Sequence, residues 1–439
     1  MALGGGTWLS QNKVLPGSYI NFVSAARATA ALSERGIAAM PLEWSWGPEG
    51  EVFTVTAQDF QKDSVRLFGY PYTHEKMTGL RDLFQNIRMA HLYRLGQGGK
   101  AAKNDLAEAR YPGSRGNDLK LVISENRKSE ADAPLYDVAT WLEGQRVDLQ
   151  TEIDRWEELQ DNDYLLFAKD GTLALTAGTP LTGGTDPETA EGDWQTFLDR
   201  VEPYSFHTLG CPSGDDGVKG LFAQFTKRMR EDCGVKFQCV LFRYLKPDFE
   251  GIISVENGLK GSPDSPAAVW WVTGAEAGCA VNRSLTNREY GGDFDLEAGY
   301  TQLQLEEGLK QGKFMFHKVG DDIRVLEDVN TFTSFTTEKN EDFSSNQTMR
   351  VLDQIGNDIA VLFNTRYLGK VPNNAAGRIS LWNDIGKHHQ ELERIQAIEN
   401  FDPEQVTVEQ GDSKKAVLVT DRVTPVNAMA QLYMTVVVQ

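Results

Sequence analysis

Two adjacent imidazoles, His388-His389, followed by Glu391 and Glu393, are the residues whose types and spacing come nearest to a metal site. On a helix His388 and Glu391 share a face, as do His389 and Glu393, so each pair could offer one nitrogen and one carboxylate to a cation. No third group completes a closed set, and an exposed polar helix surface accounts for the same four residues. Ser213, in Cys211-Pro-Ser-Gly214, follows predicted strand and has His207 close by. A nucleophile there would need a base and an orienting acid at positions the sequence does not supply. Gly308-Leu-Lys-Gln-Gly-Lys-Phe314 is too short for a phosphate loop and lacks a hydroxyl for magnesium. Asp293-Phe-Asp295 falls short of a calcium loop. No G-x-G-x-x-G follows a strand and there is no G-x-S-x-G elbow. The expectation is a non-enzyme with no catalytic residue, no metal and no cofactor.

The totals point the same way. The chain has 439 residues, 44 Lys+Arg against 63 Asp+Glu, and a net charge of −19. Nucleic acid and anionic membranes require basic faces, so neither is an expected partner. No apolar run reaches the length of a membrane span, and the N-terminal residues lack the basic and apolar regions of a signal peptide. Cys211, Cys233, Cys239 and Cys279 form no C-x-x-C pair and are expected to be reduced, buried thiols.

The elements that must carry these residues alternate in type. Gly36–Met40 and Val52–Val55 read as strands, and Leu80, Leu83, Phe84, Ile87 and His91 fall on one helical face. Between Gly96 and Gly184 the texture changes to short strands, such as Leu119–Ser124, Leu135–Ala139, Leu165–Ala168 and Leu173–Thr176. Such a run inside an α/β chain reads as an inserted β-sandwich, with the acidic stretch Asp148–Asp163 as a solvated face. Tyr204–Leu209, a helix through Val218, Phe222 and Met229, and Val235–Tyr244 make a βαβ unit. Ala267–Thr273 reads as a buried strand leading into a small-residue helix, Gly274–Asn282. Phe314–Val319 and Ile323–Leu326 read as a hairpin. Two helices follow. One carries Leu352 to Tyr367 on a single face and stops at Gly369; the other has Ile379, Trp382, Ile385, Leu392, Ile395 and Ile398 on one side. The fold class is therefore mixed α/β and multi-domain. Its expected segments are an N-terminal arm (1–24), a first core part (25–95), the β-sandwich (96–184), an α/β domain (185–335) and a C-terminal α+β domain (336–439).

Both ends are unusual. Val14, Tyr19, Ile20 and Phe22 punctuate an N-terminal arm in which Ser18–Ser24 alternates as a strand. At the other end Leu432, Tyr433, Met434, Val436 and Val437 form an apolar strand where a polar, frayed terminus is the norm. A strand of this kind needs a partner along its edge.

Three segments carry a family resemblance. Ala109-Arg-Tyr-Pro-Gly-Ser-Arg-Gly-Asn-Asp-Leu119 resembles the A-x-Y-P-G-x-R-G-N motif of contractile phage tail-sheath proteins. Asn12–Phe22 and Leu432–Val436 are similar to segments of the same family, in the form found in phages, prophages and phage-tail-like bacteriocins of Gram-positive bacteria. In the motif, Tyr111 precedes a Pro112-Gly113 turn, Gly116-Asn117 is expected to take positive φ, and Arg115 is free to pair with a carboxylate or carbonyls.

The resemblance implies a core resembling a subtilisin-like domain without protease activity. It also implies subunits that polymerise as rings or a helix around a tail tube, joined to neighbours by terminal strands. Expected partners are further copies of the chain, the tail tube protein, and baseplate and terminator proteins. The expected location is the tail of a virion or tail-like particle, assembled in the bacterial host. The family places its C-terminal helical region toward the tube, which puts Lys387, His388 and Arg394 near that partner. The alternatives are an α/β hydrolase-like enzyme with a β-sandwich, or another ring-forming protein of the same particle.

Overall fold

In the computed structural model, which describes residues 32–438, strand β1 (Ile37–Leu42) sends Ala38, Met40 and Leu42 into one hydrophobic core and Ala39 into another. Apolar residues on both sides of a period-two pattern are what a strand between two helical layers needs. β2 (Val52–Thr56) leads through α1 (Ala57–Phe68) and α2 (Thr78–Phe84) to β3 (Met89–Arg94). α1 begins with a capping box, in which the Asp59 N–H donates to Thr56 Oγ1 at 3.1 Å and the Thr56 N–H donates to the Asp59 carboxylate at 3.3 Å. His91, expected on the α2 face, lies in β3, and its Nδ1 is 2.9 Å from Thr54 Oγ1 on the neighbouring strand.

The chain then makes an antiparallel insert: β4 (Ala107–Ala109), β5 (Leu119–Glu125), β6 (Tyr136–Leu142), β7 (Gln145–Ile153), β8 (Leu165–Phe167) and β9 (Thr176–Pro180). A sheet of order β7-β6-β5-β9 and the pair β4-β8 enclose Leu121, Ile123, Val138, Leu142, Trp156 and Leu165. The acidic stretch follows this plan. Ile153 and Trp156 are buried, and most of the charged residues between Asp148 and Asp163 face solvent.

After the insert come α3 (Glu191–Val201), β10 (Thr208–Gly210), α4 (Asp216–Glu231), β11 (Gln238–Phe242), β12 (Ile252–Val255), α5 (Ala268–Gly278), α6 (Gln302–Lys310) and β13 (Lys313–Phe314). The central sheet has the order β13-β12-β11-β10-β1-β3-β2, parallel except for the β2 edge. Cys239 and Leu241 of β11 meet Phe197 of α3 and Phe222 of α4, while Val240 and Phe242 lie in the core that α2 and α5 cover. β10, α4 and β11 form the expected βαβ unit, although strand pairing begins only at Thr208 and Gln238.

The largest departure from expectation is Ala267–Thr273, which is not a strand but the body of α5. Its residues are apolar on nearly every side because the helix is enclosed on nearly every side, so periodicity could not separate the two states. Two glycines let it lie directly on α2. A Cβ on Gly274 would stand 2.3 Å from the Leu83 carbonyl oxygen, and one on Gly278 would stand 1.7 Å from that of Asn86. The predicted hairpin is present as β14 (Phe316–Val319) and β15 (Asp322–Val325).

The remaining elements are α7 (Asn346–Leu362), α8 (Ala375–Arg394), β16 (Ile398–Glu399), β17 (Thr407–Gln410), β18 (Val417–Thr420) and β19 (Thr424–Pro425). The chain divides into two compact units. One comprises Glu34–Asn357, Ile395–Glu399 and the residues from Thr424 onward; the other includes Asp358–Arg394 and Asn400–Val423. In the smaller unit Leu362, Tyr367, Leu381, Ile385 and Val406 form the core, and β17 and β18 pair as a hairpin. The second C-terminal helix was expected to run on to Ile398. It ends at Arg394; Ile398 belongs to β16, and Ile379, expected on its buried side, is 58% exposed.

Candidate assembly surface

The motif residues bind the insert to the central domain. Gly113 takes φ 138°, and a Cβ there would lie 2.0 Å from the Ser45 carbonyl oxygen, so the position demands glycine twice over. The positive φ expected at Gly116-Asn117 is therefore found at Gly113. Gly116 sits in a short 3₁₀ turn, Ser114–Asp118, where a Cβ would press on Ala109 and Ala102 at 2.9 and 3.0 Å. Asn117 closes the insert at its exit, donating to the Gly184 carbonyl at 2.9 Å and accepting the Gly184 N–H at 2.8 Å. Arg115 is buried. It donates to the Gly69 carbonyl at 2.7 Å, to Asp118 at 2.8 Å and to Glu143 at 3.0 Å, with its guanidinium 4.2 Å from the Tyr70 ring centre. That cation holds the Glu143 carboxyl below its usual range. The Tyr111 ring meets Trp46 edge-on at 5.3 Å. These contacts are structural, and none leaves a reactive group exposed.

A polar cleft of about 280 Å³ lies beside α2, lined by Phe60, Tyr72, Arg81, Asp82, Gln85 and Asp293 among others. Asp82 accepts the Tyr290 hydroxyl at 2.8 Å and the Asp293 N–H at 2.7 Å. Burial pushes its carboxyl up to about 6 in spite of those bonds.

The histidines of α8 are not where an exposed polar face would put them. His388 and His389 are 1% and 0% exposed, packed in the smaller unit with each Nε2 on an aspartate. His388 therefore cannot present its ring to a partner, which corrects its placement beside Lys387 and Arg394. Those two residues are exposed, and Arg394 is paired with Glu391. Among the described residues no group of three or more His, Cys, Asp or Glu is placed to hold a metal. Ser213 Oγ accepts the Asp215 N–H at 3.1 Å, and His207 Nδ1 accepts the Ile37 N–H at 3.3 Å. Both are thus engaged by backbone at the ends of elements. Cys233 is exposed, unlike the other three thiols, which are buried as expected. No helix among the described residues is long and apolar enough to cross a membrane.

The C-terminal stretch is held at its root and then released. The Val426 N–H donates to the Ala397 carbonyl at 3.0 Å, and Gln347 in the first turn of α7 bonds the Val426 carbonyl at 3.0 Å and the Ala428 N–H at 2.9 Å. From Val426 to Val438 no strand pairing is present among the described residues. Leu432, Tyr433, Met434, Val436 and Val437 are each more than 70% exposed. Large exposed apolar side chains without strand pairing are uncommon on a protein surface. Val14, Tyr19, Ile20 and Phe22 of the N-terminal arm lie outside the described residues.

The comparisons with known proteins agree along the whole length. Family models match residues 35–95 (tail sheath protein Gp18 domain III N-terminal region), 97–186 (phage tail sheath protein beta-sandwich domain), 188–331 (phage tail sheath protein central domain) and 338–439 (phage tail sheath C-terminal domain). The chain is 32% identical to the phage-like element PBSX protein XkdK of Bacillus subtilis, covering 99% of each. Among solved structures it is similar to the sheath tail protein of Desulfitobacterium hafniense, at 36% identity and TM-score 0.80, covering 93% of this chain and 96% of that one. The helical sheath of the anti-feeding prophage in its contracted state shares the fold, at 12% identity and TM-score 0.57, covering 96% of this chain and 98% of that one. With four sheath-domain models in register and relatives matched end to end, the chain belongs to the phage tail sheath family.

Proposed function

We propose that the chain is the repeating structural subunit of a contractile sheath, polymerising around the tail tube of a phage or phage-tail-like particle. The carrying observation is the C-terminal stretch, fixed by Gln347 up to Ala428 and then exposed through Val438. A strand presented in this way adds to a neighbour's sheet by β-augmentation. Each backbone hydrogen bond contributes about 0.5–1.5 kcal/mol net. A single joint is thus weak, and a polymer of such joints is strong because each one raises the local concentration for the next. The contact is heterologous: the arm of one subunit enters a different surface of the next, which yields open tubes instead of closed dimers.

Contraction then follows as a rigid-body rearrangement of cores that remain tethered by their arms. The extended lattice is a kinetically held state, and no nucleotide is needed to release it. The N-terminal residues 1–24 serve as the second arm, and the segments 25–95, 96–184, 185–335 and 336–439 as the domains of the subunit. The particle's tail is its location, with baseplate and terminator proteins at the two ends of the polymer. Lys387 and Arg394, the exposed cations of α8, face the tube. The purified full-length chain viewed by negative-stain electron microscopy is expected to show striated tubes or stacked rings. Compact monomers at every concentration, with or without tube protein, would contradict the proposal. Reversing both charges with Lys387→Glu and Arg394→Glu is expected to leave sheath-only polymers intact and to abolish co-assembly with tubes.

A further inference from the structure

The two histidines that fail as a metal site form a different device. His388 Nε2 lies 3.0 Å from Asp358 Oδ2, and His389 Nε2 lies 2.6 Å from Asp421 Oδ2. Between the rings, the two Nδ1 atoms face each other at 3.2 Å. All four side chains belong to the smaller unit, and the Phe401 ring stands 5.1 Å from that of His389.

Donors and acceptors fix the proton count. An ionised carboxylate can only accept, so each Nε2 carries a hydrogen. Turning either ring over would place a carbon against its aspartate and lose that bond. With both Nε2 positions protonated, two neutral rings would aim lone pairs at each other. Two fully protonated rings would aim N–H groups at each other. Only one additional proton, carried on one Nδ1 and accepted by the other, makes the contact a hydrogen bond. Buried polar atoms at this separation are paired in folded proteins because leaving them unpaired is costly.

We infer that His388 and His389 hold a single proton in common, so that Asp358–His388–His389–Asp421 is a one-proton clamp joining α7, α8 and the segment beyond β18. The carboxylates bonded to the pair are Asp358 from α7 and Asp421 from beyond β18. Asp358 also accepts the Ser33 N–H at 3.3 Å. On α8 itself, Lys387 and Arg394 are exposed to solvent, Arg394 is paired with Glu391, and the buried Asp384 accepts the Tyr367 hydroxyl. Losing the shared proton sets two lone pairs in opposition, and adding a second sets two N–H groups in opposition. The two rings are bonded to each other only in the one-proton state. Its outer end, Asp421, lies between β18 and β19.

The test is a nitrogen-15 imidazole spectrum of the full-length protein, whose sequence contains six histidines. Two rings are expected to share one proton between their Nδ1 atoms. Finding both Nδ1 atoms bare, or both carrying a proton, would overturn the inference. The variant His388→Asn supplies an N–H to His389 Nδ1 without an added proton. It is expected to melt at a lower temperature than the parent at neutral pH. An unchanged melting temperature would count against the clamp. Should the variant fail to fold, the spectrum of the parent decides alone.

Discussion

Single residues in this chain mostly secure one element to another. Arg115 joins the turn of the insert to the end of α1 through the Gly69 carbonyl and to Glu143 beyond β6, using the planar fork that lysine lacks. Arg115→Lys is expected to cost about 1–3 kcal/mol in urea unfolding, and an unchanged midpoint would show the fork to be idle. Asp82 makes a second test. Its carboxyl is pushed up to about 6 from 3.8, so in the folded state it holds a proton that the unfolded chain has released. That contribution is complete below the unfolded value and is lost as pH rises through about 6. The parent protein should therefore gain stability relative to Asp82→Asn as pH falls through that range, and unfolding midpoints measured across it would reveal a flat difference if burial were not the cause. The motif around Pro112-Gly113 was legible in the sequence because turn residues carry their conformation locally. The burial of His388 and His389 was not, because their partners Asp358 and Asp421 are distant in sequence and an i, i+4 reading of α8 sees only its neighbours.

At the scale of elements, the strands of the central sheet were readable wherever alternation or β-branched runs were long, as in β1 and β11. The readings failed where apolar character lost its period. α5 is enclosed on nearly all sides and so resembled a strand, and the span before β10 carried aromatic residues without ladder partners. The C-terminal stretch is the instructive case. Its residues read as a strand, and in the isolated chain they have strand composition without strand pairing. Leu432, Met434 and Val436 alternate with Tyr433 and Val437, so both faces are apolar, as in strands covered on two sides. On the proposed function, such a segment pairs with a neighbouring subunit. Val436→Pro removes one backbone donor and leaves nothing unsatisfied in the monomer. It is expected to leave the melting temperature of dilute protein unchanged and to shorten or abolish polymers in electron micrographs. A large drop in melting temperature would instead mean that the stretch is held within its own chain.

At the scale of the whole molecule, the family models and the relatives matched end to end make the chain a sheath protein, and its architecture suits a part that moves without chemistry. Among the described residues, its most exposed large apolar side chains lie between Met429 and Val438. The net charge of −19 opposes close approach between copies of the chain. The central claim is that this segment is the joint between subunits. The most direct measurement is electron microscopy, with a melting curve, of the chain lacking Leu432–Gln439. Folded, soluble monomers with an unchanged melting temperature and no tubes are the expected result; long sheaths formed without those residues would contradict it.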